Sequence, residues 1–149
     1  MEKITSFTVN HLTLLPGVHI SRIDTQDGFT FTTYDLRVTR PNFEPVMNTT
    51  ELHSIEHLGA TFFRNTLKET LYFGPMGCRT GFYLIVAGKP NKTDIIQRTK
   101  ECCRFIIDFE GKIPGQSAEE CGNYTDLNLE MAQHRAQLYL NVLENLPNE

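Results

Sequence analysis

Hydrophobic and polar positions change period several times along the chain, and each change marks an element. Residues 1–17 carry a mixed apolar pattern that ends at the turn signal Pro16-Gly17. Val18 to Asp24 reads as a strand. Phe29 to Val38 alternates, with Phe29, Phe31, Thr33, Asp35 and Arg37 on one face and Thr30, Thr32, Tyr34, Leu36 and Val38 on the other. Thr25-Gln26-Asp27-Gly28 between them supplies a turn, so a β-hairpin is expected. Arg40-Pro41-Asn42-Phe43-Glu44-Pro45 breaks the second strand.

The period then becomes helical. A helix is expected from about Thr50 to Lys68, capped by Asn48, Thr49 or Thr50, with Glu51 in its first turn. Leu52, Ile55, Gly59, Phe62 and Phe63 fall on one stripe. His53, His57, Ala60 and Arg64 form a neighbouring stripe that borders the core rather than lying in it. Gly59 offers room for close packing on the sheet. The Gly- and Pro-rich run Tyr72 to Gly81 reads as a turn, and Phe82 to Ala87 as a buried strand. Thr93 to Glu110 is amphipathic and stops at Gly111; Cys102 and Cys103 lie on its apolar face. Ile113 to Asn123 is a loop with Pro114-Gly115. Asn128 to Leu146 is a last amphipathic helix, with His134 and Arg135 on its polar side.

Strands, helix, strands, helix, loop, helix in that order imply an α+β protein. The expected architecture is an antiparallel sheet with helices packed mainly on one face, in a single domain over 1–149. Composition agrees: 40% of residues are hydrophobic and 21% charged, as in ordinary globular chains. A formal charge of −4 leaves no electrostatic footprint for nucleic acid or an anionic membrane. No apolar run approaches the roughly 18 residues that span a bilayer. Met1-Glu2-Lys3-Ile4-Thr5-Ser6 has no basic segment followed by an apolar one, so the expected compartment is the cytoplasm.

The chemistry concentrates in His53-Ser54-Ile55-Glu56-His57. Histidines four apart on a helix project from one face and can share a metal ion. At about 100° per residue, the side chains of His53, His57 and Glu56 span an arc of roughly 100°. Two imidazoles beside a carboxylate form a catalytic arrangement, with the carboxylate free to move protons. Cys121 sits on a polar loop with no apolar stripe to join, which makes it the best third ligand. A His2Cys set leaves a coordination position open for water or substrate, as in catalytic sites, and suits ferrous iron or zinc. No Cys-x-x-Cys pair is present for a closed structural site. Cys78, on its Gly-rich turn, is either aimed into a site as a partly exposed thiol or is simply a turn residue. Asp35 and Arg37 either reach a polar ligand or sit at a solvated sheet end.

Five segments together resemble the S-ribosylhomocysteine lyase family, whose members make an autoinducer precursor. They are His53-Ser54-Ile55-Glu56-His57-Leu58, Gly74-Pro75-Met76-Gly77-Cys78-Arg79-Thr80-Gly81, Cys121-Gly122, Tyr34-Asp35-Leu36-Arg37 and the opening Ser6…His11. The resemblance implies one divalent metal per subunit, Fe(II) natively with Zn(II) also accepted, held by His53, His57 and Cys121. It implies Glu56 and Cys78 as general acid/bases, and Ser6, His11, Asp35, Arg37 and Arg64 as substrate-binding residues. It further implies a homodimer with both active sites at the subunit interface. The reaction it implies converts S-ribosylhomocysteine to homocysteine and 4,5-dihydroxy-2,3-pentanedione by two isomerisations and an elimination. The chain departs from the family pattern at Gly74, where a Ser is frequent, and at Tyr72, where an Asp is.

Two other readings fit parts of the pattern. His53-x-x-Glu56-His57 also matches inverted-zincin metallopeptidases, whose extra carboxylate ligand would be Glu130. That reading leaves Cys78 and Cys121 unused. A non-catalytic metal-binding module would need a closed site, and only three good ligands are apparent.

Overall fold

The computed structural model describes residues 1–147. A 3-10 turn, Thr5–Phe7, precedes β1 (Gly17–Gln26), β2 (Phe29–Arg37), α1 (Thr49–Thr66), β3 (Thr70–Pro75), β4 (Gly81–Ala87), α2 (Lys92–Ile107) and α3 (Leu129–Glu144). The four strands form one antiparallel sheet in the order β1-β2-β4-β3. All three helices pack together, and α1 lies on β3. The α+β expectation holds.

Local chemistry explains the elements. Gln26 pairs with Phe29, and the two residues between them, Asp27 and Gly28, have φ of 50° and 82°. That is the mirror-image turn whose twist matches a right-handed hairpin. Asn48 caps α1: its side chain accepts from Glu51 N at 2.9 Å, and the Glu51 carboxylate accepts from Asn48 N at 3.0 Å. This reciprocal box fixes where α1 begins. The same Glu51 also pairs with Arg135 of α3 at 3.1 Å. Arg135 therefore faces α1 rather than solvent, contrary to its expected place on a polar face.

The alternation along β2 sorts its two sides as expected. Thr32, Tyr34, Leu36 and Val38 are buried under the helices. They meet Leu58 and Phe63 of α1, Leu84 and Val86 of β4, Ile95 and Ile106 of α2 and Leu143 of α3 in one core. Gly59 is the contact point between helix and sheet, because a Cβ there would overlap the Phe73 ring. Cys102 and Cys103 are 5% and 4% exposed, core thiols as the apolar face of α2 implied. Burial pushes Cys102 well above the ordinary thiol value and Cys103 up to about 12.

One strand was not legible as such. Tyr72-Phe73-Gly74-Pro75 reads as a turn but belongs to β3, at the edge of the sheet. An edge strand tolerates a proline, because one row of its backbone groups needs no partner in the sheet.

Candidate active site

α1 and the loop after α2 bring three donor side chains together. Nε2 of His53 lies 3.5 Å and Nε2 of His57 3.8 Å from Sγ of Cys121. The three ligand atoms lie within 4.8 Å of one another. Tetrahedral coordination with ordinary metal–nitrogen and metal–sulfur bonds separates N from S by about 3.6 Å, so the set fits a single ion. The other nitrogen of each ring is engaged as such a site requires. His53 Nδ1 lies 3.0 Å from Asp126 O, and His57 Nδ1 lies 2.7 Å from Pro114 O. A carbonyl only accepts, so each Nδ1 carries the proton and each Nε2 keeps a lone pair for the metal.

The loop is shaped around these rings. Gly115 has φ of +80°, and a Cβ there would stand 3.0 Å from His57 Nδ1. Thr50 donates to Asp126 Oδ1 at 2.5 Å, tying the carbonyl that orients His53 back onto α1. Asn123 N donates towards Cys121 Sγ at 3.4 Å, which helps to fix the sulfur in the loop. Glu56 lies half-buried beside the pair, and its carboxylate has no hydrogen-bond or ion-pair partner among the described residues.

A separate open cleft of about 960 Å3 is lined by Ser6, His11, Arg37, Cys78, Thr80 and Tyr83 among others. Asp35 and Arg37 are not at a solvated sheet end. They form a buried pair, Nε–Oδ1 at 3.0 Å and Nη2–Oδ2 at 2.5 Å, with side chains 8% and 3% exposed. Two parallel contacts fix the guanidinium plane. Arg37 then donates from Nη1 to Thr80 Oγ1 at 2.7 Å, and Thr80 Oγ1 is 3.1 Å from the exposed Cys78 Sγ. The turn that carries Cys78 is bent through Arg79, at φ 62°. His11 Nδ1 contacts Val9 O at 2.9 Å, which leaves Nε2 for a ligand. Ser6 lines the cleft with Tyr83. Burial, and then the charge of Asp35, push the Tyr83 phenol above its ordinary value, so it stays protonated.

The structure sorts most of the expected site residues into two separate groups, a separation the sequence pattern does not reveal. The triad and the Cys78 cleft share no lining residue. Arg64 joins neither: it is exposed and donates from Nη2 to Leu71 O at 2.7 Å. Tyr83 and Thr80 were missed, although alternation in β4 sets Tyr83 opposite the buried Phe82 and Leu84. The departures at Tyr72 and Gly74 are coupled, because the Tyr72 ring covers Gly74 and any side chain there would overlap it. Glu130, the ligand a peptidase would need, is exposed on α3 and lies outside the triad.

Comparison with known proteins gives the family. The family model described as S-ribosylhomocysteinase (LuxS) matches residues 4–149. The chain is 57% identical to the S-ribosylhomocysteine lyase of Finegoldia magna, over 100% of this chain and 96% of that protein. It is 54% identical to the protein of the same name from Clostridium acetobutylicum, with the same coverage, and 47% identical to that of Borrelia garinii subsp. bavariensis over 100% and 97%. A match across the whole chain, together with a two-histidine, one-cysteine site on α1 and the loop after α2, shows that the chain belongs to the S-ribosylhomocysteinase (LuxS) family.

Proposed function

We propose that this protein is an S-ribosylhomocysteine lyase, releasing homocysteine and 4,5-dihydroxy-2,3-pentanedione. The observation that carries the reading is the His53–His57–Cys121 triad with both Nδ1 atoms committed to backbone carbonyls. Such a site has three ligands and an open position, as lyase chemistry next to a carbonyl needs.

The substrate dictates the order of events. Its sulfur is on C5 of the sugar and its carbonyl, once the ring opens, on C1. A thiolate leaves by β-elimination only when a carbonyl sits two carbons from the carbon that bears it. The carbonyl must therefore move from C1 to C2 and then to C3. Each move takes a proton from carbon and returns one to the neighbouring carbon. Removal of the C4 proton then expels homocysteine thiolate from C5. Two proton carriers on this path are Glu56, with its unpartnered carboxylate beside the triad, and Cys78 in the cleft. The bound metal would supply a Lewis acid that stabilises negative charge at the substrate's oxygens. Arg37, held rigid by Asp35, offers hydrogen bonds to sugar oxygens, and Ser6 and His11 complete the polar lining. Arg64, at the end of α1, would reach the substrate only after giving up Leu71 O.

We assign ferrous iron as the native metal, with zinc as a substitute. Imidazole and thiolate donors suit both. The separation of triad and cleft supports a homodimer in which the triad and Glu56 of one subunit face the Cys78 cleft of the other. Four unpaired cysteines among the described residues support a reducing, cytoplasmic setting.

The test is subunit mixing. Cys78→Ala and Cys121→Ala proteins are each inactive alone. Denatured together and refolded, they regain about a quarter of wild-type thiol release if each site draws on both subunits, since half the dimers are mixed and each carries one intact site. No recovery contradicts the shared site.

A further inference from the structure

Thr80 stands between the buried ion pair and the exposed thiol, and nothing assigned so far uses it. It is 4% exposed. Its carbonyl accepts from both Val38 N at 2.9 Å and Thr39 N at 3.0 Å. Its neighbour Gly81 lies so close to β2 that a Cβ there would overlap Leu36 O. The Thr80 hydroxyl is thus anchored to the sheet, whereas Cys78, two residues earlier, lies in the turn. Among the described residues Thr80 Oγ1 is the one hydrogen-bond partner of the Cys78 sulfur.

The direction of the chain of contacts follows from its first member. A guanidinium only donates, so Thr80 Oγ1 accepts from Arg37 at 2.7 Å. Accepting from a cation polarises the hydroxyl and strengthens it as a donor. Its single proton is then free for Cys78 Sγ at 3.1 Å, the other hydrogen-bond partner of Thr80 Oγ1 among the described residues. We propose that Thr80 is the positioning residue of the Cys78 proton carrier. Its hydroxyl couples the sulfur to the Asp35–Arg37 pair, holds it in one place over the cleft and offers it a hydrogen bond. The proposal rests on the reading of Cys78 as a group that takes and gives protons.

The test is the pH profile of Cys78 alkylation by iodoacetamide on metal-loaded protein, followed by peptide mapping. Cys102 and Cys103 are buried and Cys121 holds the metal, so Cys78 is the accessible thiol. The groups that face it are Arg37 and Asp35 of β2, Tyr83 of β4, His11 of the N-terminal segment and Glu44 of the loop after β2, and a Thr80 substitution replaces none of them. Thr80→Val keeps the shape and removes the hydroxyl. It is expected to move the alkylation midpoint to higher pH and to lower kcat about tenfold with KM nearly unchanged, the loss of one hydrogen bond to a charged group. Thr80→Ser restores both. Thr80→Ala serves as the hydroxyl-free variant if the valine form does not fold. A wild-type midpoint in the hydroxyl-free variants overturns the proposal, and so does a serine form as impaired as the valine form. The alkylation profile needs no substrate, so it judges Thr80 even where the wild-type protein releases no thiol, an outcome that would sink the lyase reading instead.

Discussion

Sγ of Cys121 lies 3.5 Å from Nε2 of His53, although 68 residues of sequence separate them. The loop that brings the sulfur there is built from backbone contacts to the same two histidines it completes. A metal held by the three donors would therefore tie this loop to α1.

Gly115 tests that coupling. Its φ of +80° and its approach to His57 leave no room for a side chain. Gly115→Ala should push the His57 ring or the Pro114 carbonyl out of line. Losing an outer-shell contact of this kind lowers metal affinity about 10–100-fold. Competition with a chromophoric chelator measures it, and unchanged affinity would show that the Pro114 carbonyl does not set the ring.

Much of this site was legible in the sequence, and the missing parts share a cause. The four-residue spacing of His53 and His57 announces a shared face. Cys121 stands out as a cysteine without an apolar stripe. The atoms that orient the rings are carbonyls of Pro114 and Asp126, and a carbonyl looks the same at every residue. The contact of Arg37 with Thr80 spans 43 residues and depends on the register of β2 with β4, which no local pattern encodes. Gly74-Pro75 suggests a turn because the local signal cannot tell a turn from the end of an edge strand.

Gly59 tests the seating of α1 on the sheet. Gly59→Ala sets a methyl group against Phe73, which is itself stacked on Phe82 with centroids 5.0 Å apart. Overpacking of this kind costs about 1–3 kcal/mol. A lower urea midpoint with an unchanged slope is the expected result.

The buried thiols of α2 set an alkaline limit. Cys103 is raised from 9.0 to about 12 in the folded protein, mainly by burial, and Cys102 is raised as well. Between these values the unfolded chain loses thiol protons that the folded chain keeps, so stability falls as pH rises. It is at its full value below pH 9 and declines towards pH 12. Urea unfolding at stepped pH on the metal-loaded protein checks the slope, which should shrink in Cys103→Ala compared at equal pH.

The central claim is that one metal-bearing site and one thiol together cleave the substrate. It is tested by measuring metal content and homocysteine release on the same anaerobically purified samples. Wild type should hold about one metal per chain, iron before any exchange, and release thiol from S-ribosylhomocysteine. Cys78→Ala should keep the metal and release none, and Cys121→Ala should lose both. Full metal retention in Cys121→Ala, or undiminished release in Cys78→Ala, would contradict it.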